Sequence, residues 1–160
     1  MGFTSFSSEF VSPVSPARMF KAGVLDLHSL IPKLMPEVVT TAAIVQGDGG
    51  VGSIKQFNFT EAFPVSHVKD HIDVLDKEKF VCKYSLVEGG EIGTKLKSAC
   101  YEIKFEPSSD GGSICKLGAE YNVLDGVTYT EDEIKVAKDG MTGMYKTIEA
   151  HLLTNPHAYA

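Results

Sequence analysis

Apolar residues recur every three or four positions near the end of the chain, which is the spacing of one helical face. Thr130 is followed three residues later by Glu133, a pairing that satisfies two free backbone N–H groups at a helix start. Asn155-Pro156 marks the end, because proline cannot continue the helical hydrogen bonds. The pattern predicts a helix over residues 130–153. Its apolar face consists of Ile134, Ala137, Met141, Met144 or Tyr145, Ile148 and Leu152.

The first 36 residues show a different pattern. Residues 3–12 mix phenylalanine and valine with serine and threonine, which predicts a first strand. Ser15-Pro16-Ala17 then places proline at the first position of a helix, which continues to Gly23. A second short helix is predicted from about Asp26 to Leu34, with prolines 32 and 36 bounding or bending it. Two brief helices joined this tightly form a V.

From residue 37 onward the pattern is that of strands. A β-branched run covers residues 38–45, and residues 53–60 alternate strictly. Further strands are predicted at about 65–75, 79–88, 95–106 and 112–123, separated by turns rich in Gly and Asp. The prediction is an α+β fold and a single domain over residues 1–160. A curved seven-stranded antiparallel sheet wraps round the long C-terminal helix, with the V of two short helices after strand 1.

The alternation also predicts which side chains face the helix. These are Phe57, Phe59, Cys82, Tyr84, Leu86, Ala99, Tyr101, Ile103, Cys115, Leu117, Ala119 and Tyr121. Lys55 lies two residues before Phe57, so the alternation places its side chain on the same inner face of the sheet. A lysine that faces the interior needs a hydrogen-bonding or charged partner, or a space that holds water or a ligand. Gly140 and Gly143 interrupt the helix, where each costs up to about 1 kcal/mol relative to alanine. We interpret these glycines as positions where a missing side chain leaves space for a ligand. Met141 and Met144 would then contact the ligand with flexible, polarisable side chains.

Composition narrows the function. The net charge is −6 and Arg18 is the one arginine, which disfavours binding to nucleic acid. No run of 18 apolar residues exists, so no membrane partner is predicted. The N-terminus lacks the basic and apolar regions of a signal peptide, and we expect a cytoplasmic protein, with the nucleus also open. The three cysteines are widely spaced, and we expect reduced, buried thiols.

A glycine-rich stretch is the one motif with a known chemical use. Gly47, Asp48, Gly49, Gly50, Val51 and Gly52 match G-x-G-x-x-G. Dinucleotide binding needs a helix directly afterwards, whereas a strand is predicted here, so we interpret the stretch as a hairpin connection. His67 and His71 would lie about 13 Å apart on a strand, too far to bind one metal ion together. No metal and no cofactor are predicted.

Several stretches across the chain can be compared with known families. They are PARMFKA at 16–22, GDGGVGSIK at 47–55, KF through YSLVEGG at 79–90, DGGS at 110–113, EAHLL at 149–153 and NP at 155–156. Together they resemble the plant class-ten pathogenesis-related proteins, the family of the birch major pollen allergen in the START-like, helix-grip superfamily. The resemblance implies a helix-grip fold with an internal hydrophobic cavity. This agrees with the element order predicted from the pattern.

The resemblance also implies an intracellular defence or stress protein that binds small amphipathic plant metabolites or hormones. Flavonoids, cytokinins, steroid-like hormones and alkaloid intermediates are the implied ligands. The implied pocket positions are Lys55, Phe57, Phe59, Tyr84, Ile103, Lys138, Gly140, Met141 and Met144. His67 and Cys82 stand where many members have tyrosine, which changes the hydrogen bonds of the pocket. Leu86 and Tyr101, which the strand alternation places on the inner face of the sheet, complete the predicted ligand-binding site. We expect the protein to be a monomer.

Two alternatives remain: an enzyme that uses the same fold, either a ribonuclease or a condensing or isomerising enzyme, and a hormone-receptor-like phosphatase inhibitor of the abscisic-acid type. The family is credited with ribonuclease activity, for which Lys55 and Glu149 match, but His151 replaces a tyrosine and Lys97 an acidic residue. Some relatives condense or isomerise alkaloid precursors, for which Lys55, Asp70 and Tyr101 could supply the groups. The related abscisic-acid receptors inhibit a phosphatase, but their gate and latch signatures, SGLPA and HRL, are absent here.

Overall fold

The computed structural model describes residues 2–160. The elements follow one another as predicted: one strand, a pair of short helices, six strands and a long helix. They are β1 (Gly2–Ser12), α1 (Pro16–Phe20) continued by a π-helical turn (Lys21–Leu25), α2 (Leu27–Leu34), β2 (Val39–Gln46), β3 (Ile54–Phe59), β4 (His67–Asp76), β5 (Val81–Gly89), β6 (Leu96–Pro107), β7 (Ser113–Val123) and α3 (Glu131–Thr154).

All seven strands form one antiparallel sheet in the order β1-β7-β6-β5-β4-β3-β2. Strands β2 to β7 pair with their neighbours in sequence, and β1 joins the far edge by pairing with β7 from Gly2 opposite Val123 to Ser12 opposite Ser113. Register shifts in β2 and β4 mark bulges, which increase the local twist and bend of a strand. The predicted meander is confirmed.

Helix α3 begins and ends where the sequence signals lie. The Thr130 side chain accepts a hydrogen bond from the Glu133 N–H, and the Glu133 carboxylate accepts one from the Thr130 N–H. Its 24 residues span about 36 Å at 1.5 Å per residue. Tyr145, Ile148 and Leu152 are buried on the face that the periodicity predicted. The observed helix is therefore displaced by a single residue from the predicted one.

The V of short helices differs from the prediction in one respect. The chain between α1 and α2 winds into a π-helical turn, and Pro32 lies inside α2. Gly23 in this turn packs directly against α3, since a Cβ atom built there would lie 2.8 Å from Cε1 of Tyr145. Only glycine allows this approach without moving the tyrosine ring. The sequence showed the glycine, but nothing in the periodicity indicated the wider turn.

The predicted inward side chains pack in the core. Every one of them belongs to, or packs against, one of three apolar clusters between the sheet, the V and α3. The cysteines follow the prediction only in part: Cys82 and Cys115 are buried, whereas Cys100 is exposed because its position in β6 faces outward.

Within residues 2–160, no helix is both long and apolar enough to cross a membrane.

The C-terminal segment is held against the V by Arg18. Its Nε donates to the Ala158 carbonyl at 3.0 Å, and one terminal nitrogen donates to the carbonyls of Leu152 at 3.1 Å and Asn155 at 2.8 Å. Carbonyls in the last turn of a helix have no partner within that helix. A cation there also interacts favourably with the helix dipole. Arg18 therefore acts as the C-terminal cap of α3.

Replacing Arg18 with methionine is expected to lower the free energy of unfolding by about 1–3 kcal/mol, because the charged donor of three hydrogen bonds is lost. Urea unfolding followed by circular dichroism measures this. Lys21→Met is the matched control, since its exposed ammonium reaches only the Ala160 carbonyl at 3.2 Å. We expect a change below about 0.5 kcal/mol for the control. Equal effects of the two substitutions would contradict the capping role.

Candidate functional site

A cavity of about 50 Å³ lies between the V, the middle of the sheet and α3. Its walls are mostly apolar, with a few polar tips. The lining residues are Gly23, Val24, Leu27, Lys55, Phe57, Asp70, Ile72, Cys82, Tyr84, Ile103 and Tyr145. The space is enough for a few water molecules, since one water needs about 10–15 Å³ of such volume.

Lys55 reaches across the cavity from β3 to the V. Its side chain is 6% exposed, and Nζ donates to the carbonyls of Val24 at 2.9 Å and Leu25 at 3.4 Å. Burial disfavours the charged ammonium and lowers the pKa of Lys55. Three nearby acidic groups oppose this lowering only in part: Cys82, Asp26 and Asp70. The lysine is thus paired, as its inward parity required, but with neutral carbonyls.

Asp70 lies directly opposite Lys55 in the register of β3 and β4. Burial raises the pKa of its carboxyl from 3.8 to about 7, and the attraction of Lys55 offsets only part of the increase. No carboxylate oxygen lies within 4 Å of the Lys55 nitrogen among residues 2–160, so the two groups form no direct ion pair. Near neutral pH a large share of Asp70 is protonated and able to donate a hydrogen bond.

Two tyrosines complete the polar tips. Tyr84 stacks on Tyr101 with ring centroids 4.9 Å apart, and burial raises the pKa of both phenols well above 10. The Tyr145 hydroxyl donates to the Gly23 carbonyl at 3.1 Å, which ties α3 to the π-helical turn. Neither Tyr84 nor Tyr145 ionises near neutral pH, so both act through neutral hydroxyl groups.

Cys82 also lines the cavity, but its thiol is unreactive. Burial raises the pKa of the Cys82 thiol to about 11, more than the attraction of Lys55 can offset. The thiolate is the nucleophilic form of cysteine, and it is scarce at neutral pH with such a pKa. The Cys82 side chain therefore lines the cavity as an apolar group and does not act as a nucleophile.

The structure brings together only part of the predicted site. Lys55, Phe57, Cys82, Tyr84 and Ile103 line the cavity. The other inward-facing members of the predicted site pack around it without lining it: Phe59, Leu86, Tyr101, Met141 and Met144. Lys138 is half-buried on α3 and does not line the cavity.

His67 was placed on the wrong face. The inward parity of β4 belongs to Val68, which packs in the core, and to Asp70 and Ile72, which line the cavity. His67 therefore points outward, where Nε2 lies 2.9 Å from a carboxylate oxygen of Glu88. It adds nothing to the hydrogen bonds of the cavity.

The interpretation of the helix glycines was also wrong. Gly140 and Gly143 are both exposed, and a Cβ atom at either would meet no atom within 4 Å. Gly143 lies opposite the buried face of Tyr145, Ile148 and Leu152, so solvent covers it. Neither glycine makes room for a ligand in this structure, and Gly140 is removed from the candidate site.

The sequence analysis missed several lining residues. Asp70 entered it only as a group for an alternative reaction, although its parity on β4 opposite Lys55 was a usable signal. Ile72 shares that parity, and Tyr145 lies on the predicted apolar face of α3. The lining residues of the V carry no comparable signal, because their position depends on the π-helical turn. They are Gly23, Val24 and Leu27.

The glycine-rich stretch connects β2 and β3, as predicted. Gly47, Gly49 and Gly52 have φ values of 85°, 100° and 89°, which favour glycine. The Gly49 amide donates to the Ser53 hydroxyl at 2.8 Å, and the Gly50 amide donates to the Asp48 carboxylate at 3.0 Å. These amides stabilise the turn itself and are occupied in this structure.

The residues considered for ribonuclease chemistry are not gathered at one accessible site. Lys55 is buried, and Glu149 on α3 does not line its cavity. Lys97 lies outside, near Asp125 at 3.5 Å. Phosphodiester cleavage needs an acid and a base within reach of the same phosphate. In addition, residues 2–160 contain no group of three or more metal-ligating His, Cys, Asp or Glu side chains.

Comparison with known proteins identifies the family. Residues 1–155 match the family model described as "Pathogenesis-related protein Bet v 1 family". The chain belongs to the Bet v 1 family. Similar members include the major strawberry allergen Fra a 1.08 of Fragaria ananassa, which is 46% identical over 99% of both chains. Pathogenesis-related protein STH-21 of Solanum tuberosum is 45% identical over the full length of both.

Solved structures of Bet v 1-like proteins confirm the fold. The crystal structure of Ara h 8.0201 superposes with a TM-score of 0.84 at 30% identity, covering 96% of this chain and 99% of that one. Norcoclaurine synthase from Thalictrum flavum superposes with a TM-score of 0.76 at 21% identity, covering 95% of this chain and 87% of that one. At this lower identity the likeness to the synthase extends to the fold alone.

Proposed function

We propose that this member of the Bet v 1 family binds small amphipathic plant metabolites in its internal cavity, as part of a defence or stress response. The observation that supports this most is the set of polar tips in an apolar cavity: Lys55, Asp70 and Tyr84. A small-molecule site needs apolar walls with a few convergent polar groups. A well-packed core would not place a lysine, an aspartate and a tyrosine around one empty space.

The cavity must expand to take a whole ligand. Its volume is about 50 Å³, whereas pockets for drug-sized ligands have about 300–1,000 Å³. Met141 and Met144 of α3 are half-buried and each packs against two of the three apolar clusters. Methionine is flexible and polarisable, so these side chains can rearrange around different shapes. We therefore expect ligands to enter by displacing these methionines.

The polar tips favour neutral ligands that carry hydroxyl or carbonyl groups. The raised pKa values of Asp70 and Tyr84 keep both groups wholly or partly protonated near neutral pH. They can donate hydrogen bonds to a carbonyl and accept them from a hydroxyl. Flavonoids, cytokinins, steroid-like hormones and alkaloid intermediates all offer such groups on an apolar body.

Fluorescence titration with the apolar probe anilinonaphthalene sulfonate, competed by members of these four ligand classes, tests the proposal. Ile103→Phe narrows the cavity, because Ile103 lines it and is 0% exposed. We expect this substitution to weaken probe binding at least about tenfold, equivalent to about 1.4 kcal/mol. Val87→Phe on β5 is the matched control, since Val87 faces outward and is 47% exposed. It should leave the affinity unchanged.

Three results would argue against the proposal: absence of probe binding at micromolar concentration, equal weakening by both substitutions, or failure of every competitor. Thermal unfolding of both variants, measured alongside, distinguishes loss of binding from loss of fold. Overpacking a core costs about 1–3 kcal/mol, which leaves a domain of ordinary stability folded.

Catalysis in the same cavity is the second candidate function. A specific observation favours it, namely an amine and a carboxyl group with opposite pKa shifts on facing positions of β3 and β4. Buried groups with such shifts often serve as acid and base catalysts. The structural likeness to norcoclaurine synthase is consistent with this candidate, although it extends to the fold alone.

A further inference from the structure

We propose that the protein forms a two-fold symmetric dimer in which the free edge of β1 pairs with β1 of a second copy of the chain. No residue of β1 lines the cavity, so the proposal is independent of the proposed function. It specifies the partner, the strand and the register of the pairing, and it replaces the expectation of a monomer.

Strand β1 lies at one edge of the sheet, with β7 as its neighbour. Its 11 residues pair with β7 along their whole length. In an antiparallel pair, alternate residues direct their N–H and C=O groups toward the neighbouring strand, and the residues between them direct theirs away from it. Among residues 2–160, no other backbone group bonds to the backbone of β1. The outer edge of β1 therefore offers a row of donors and acceptors to another strand.

The β1 edge lacks the features that prevent a sheet from pairing with other chains. Such features are bulges, prolines, lysines and short edge strands. Strand β1 has an unbroken register with β7 and contains no proline and no basic residue, and Glu9 is its one charged residue. The opposite edge of the sheet, β2, has 8 residues and two register shifts. Of the two edges, β1 is the one suited to pairing.

The outer face of β1 also exposes apolar surface near both of its ends. Phe3 is 79% exposed and Val11 is 68% exposed, the highest values for large apolar side chains on the described parts of the seven strands. Exposed polar side chains lie between them: Ser5, Ser7 and Glu9. Removing apolar surface from water is favourable, so a partner that covers both ends is favoured.

A second copy of β1 is complementary to this pattern. When two antiparallel copies are centred on Ser7, residues at equal distances before and after Ser7 face each other, and outer-face residues meet outer-face residues. Phe3 then lies opposite Val11 of the second copy, and Ser5 lies opposite Glu9, each pair occurring twice by symmetry. The two Glu9 side chains are about 13 Å apart, four residues at about 3.3 Å each, so no like charges oppose each other.

The symmetry favours a second copy of β1 over other occupants of the edge. Pairing of β1 with β2 of another copy is not symmetric and would build an open row of molecules, and the register shifts of β2 oppose it. An extended peptide from another protein would have to reproduce the spacing of Phe3 and Val11, which β1 itself already has. Because two strand edges form a small interface, we expect a weak dimer with a dissociation constant in the micromolar range.

Sedimentation of the full chain over a dilution series through the micromolar range tests the proposal. A reducing agent is included, because Cys100 is an exposed thiol that would otherwise join two chains by a disulfide bond. We expect the average mass to rise with concentration from that of one chain toward that of two chains. The mass of one chain at every concentration, or growth beyond two chains, would overturn the proposal.

Two lysine substitutions with the same change of charge test the register. Ser7→Lys places two ammonium groups opposite each other and should weaken dimerisation at least about threefold, because opposed like charges destabilise a strand pair. Ser5→Lys places an ammonium group opposite Glu9 of the second copy, twice by symmetry, and should strengthen dimerisation about threefold.

Ser98→Lys is the matched control for both substitutions. Ser98 is exposed on β6, which lies between β5 and β7 and is not an edge strand. The control should leave the dissociation constant unchanged. Equal effects of Ser5→Lys and Ser7→Lys, in either direction, would overturn the register centred on Ser7.

Hydrogen exchange of the unmodified chain locates the interface without any substitution. The β1 amides that face the free edge should exchange at least about threefold more slowly above the dissociation constant than below it, because they gain hydrogen-bond acceptors. The amides of β2 should exchange at the same rate at both concentrations. Slowing at β2 or at another surface, with none at β1, would assign the dimer to a different interface and overturn the proposal.

Discussion

Asp70→Asn is expected to raise the free energy of unfolding at about pH 8 by up to about 4 kcal/mol. The carboxyl pKa rises from its ordinary value of 3.8 to about 7 in the folded chain, because burial withdraws the carboxyl group from bulk water and disfavours its ionised form. Each pKa unit corresponds to about 1.4 kcal/mol. Asparagine has nearly the same shape as a protonated aspartate and carries no charge, so it removes the cost of ionisation.

The sign of the pH dependence follows from the direction of this pKa shift. Between about pH 4 and 7 the unfolded chain ionises Asp70 while the folded chain still holds the proton, so the folded state loses stability as the pH rises. Above about pH 7 both states are ionised, and the difference between the two proteins levels off. Near pH 4 both states are largely protonated, and the two proteins should have similar stabilities.

Urea unfolding of both proteins at several values between about pH 4 and 8 measures the difference. His28, whose pKa burial lowers, is present in both proteins, so its contribution to the pH dependence cancels. Asp73→Asn is the matched control on β4, since Asp73 faces outward and bonds to His71 at 2.8 Å. Because the Asp73 carboxyl group is exposed, its replacement removes no cost of burying a charge and should not stabilise the protein. A stability difference for Asp70→Asn that stays constant with pH would mean that solvent reaches the Asp70 carboxyl group.

The fold was readable from the sequence because its elements depend on local signals. The capping box of Thr130 and Glu133, the proline at position 16 and the turns with Gly and Asp each act within a few residues. The strand alternation adds the inner and outer faces, and a sheet with one buried face fixes its register strongly. These signals needed no knowledge of distant contacts, and the structure confirms them.

The site was less readable because it depends on how distant elements meet. The π-helical turn places the Val24 and Leu25 carbonyls beside Lys55, and no periodic pattern predicts that geometry. His67 was misplaced because the parity of β4 was not worked out, although Asp70 opposite Lys55 would have given it. Gly140 was misplaced although its position in the helical period lies away from the face of Tyr145, Ile148 and Leu152, because helix-breaking glycines alone do not indicate a ligand.

Tyr145→Ala is expected to lower the free energy of unfolding by about 3–5 kcal/mol, the range for removing a large buried aromatic side chain. Tyr145 is 1% exposed and packs edge-on against Phe105 with ring centroids 5.9 Å apart. Its ring also touches Gly23, and its hydroxyl donates to the Gly23 carbonyl. The substitution removes all of these contacts and leaves a larger space.

The same substitution is expected to strengthen binding of an apolar probe, because Tyr145 lines the cavity and its loss merges the phenol volume with the existing space. Tyr145→Phe is the matched control. It keeps the ring and removes only the hydrogen bond to Gly23, so we expect a loss of about 1–3 kcal/mol and little change in affinity.

Urea unfolding and probe titration of the two Tyr145 variants give both quantities. Greater instability of Tyr145→Ala together with tighter probe binding would mean that the size of the cavity limits ligand uptake, as the volume of about 50 Å³ implies. Equal destabilisation by the two variants would show instead that the hydrogen bond to the π-helical turn, rather than the packing of the ring, holds α3 against the V. Weaker probe binding to Tyr145→Ala would mean that the phenol ring is itself part of the binding surface.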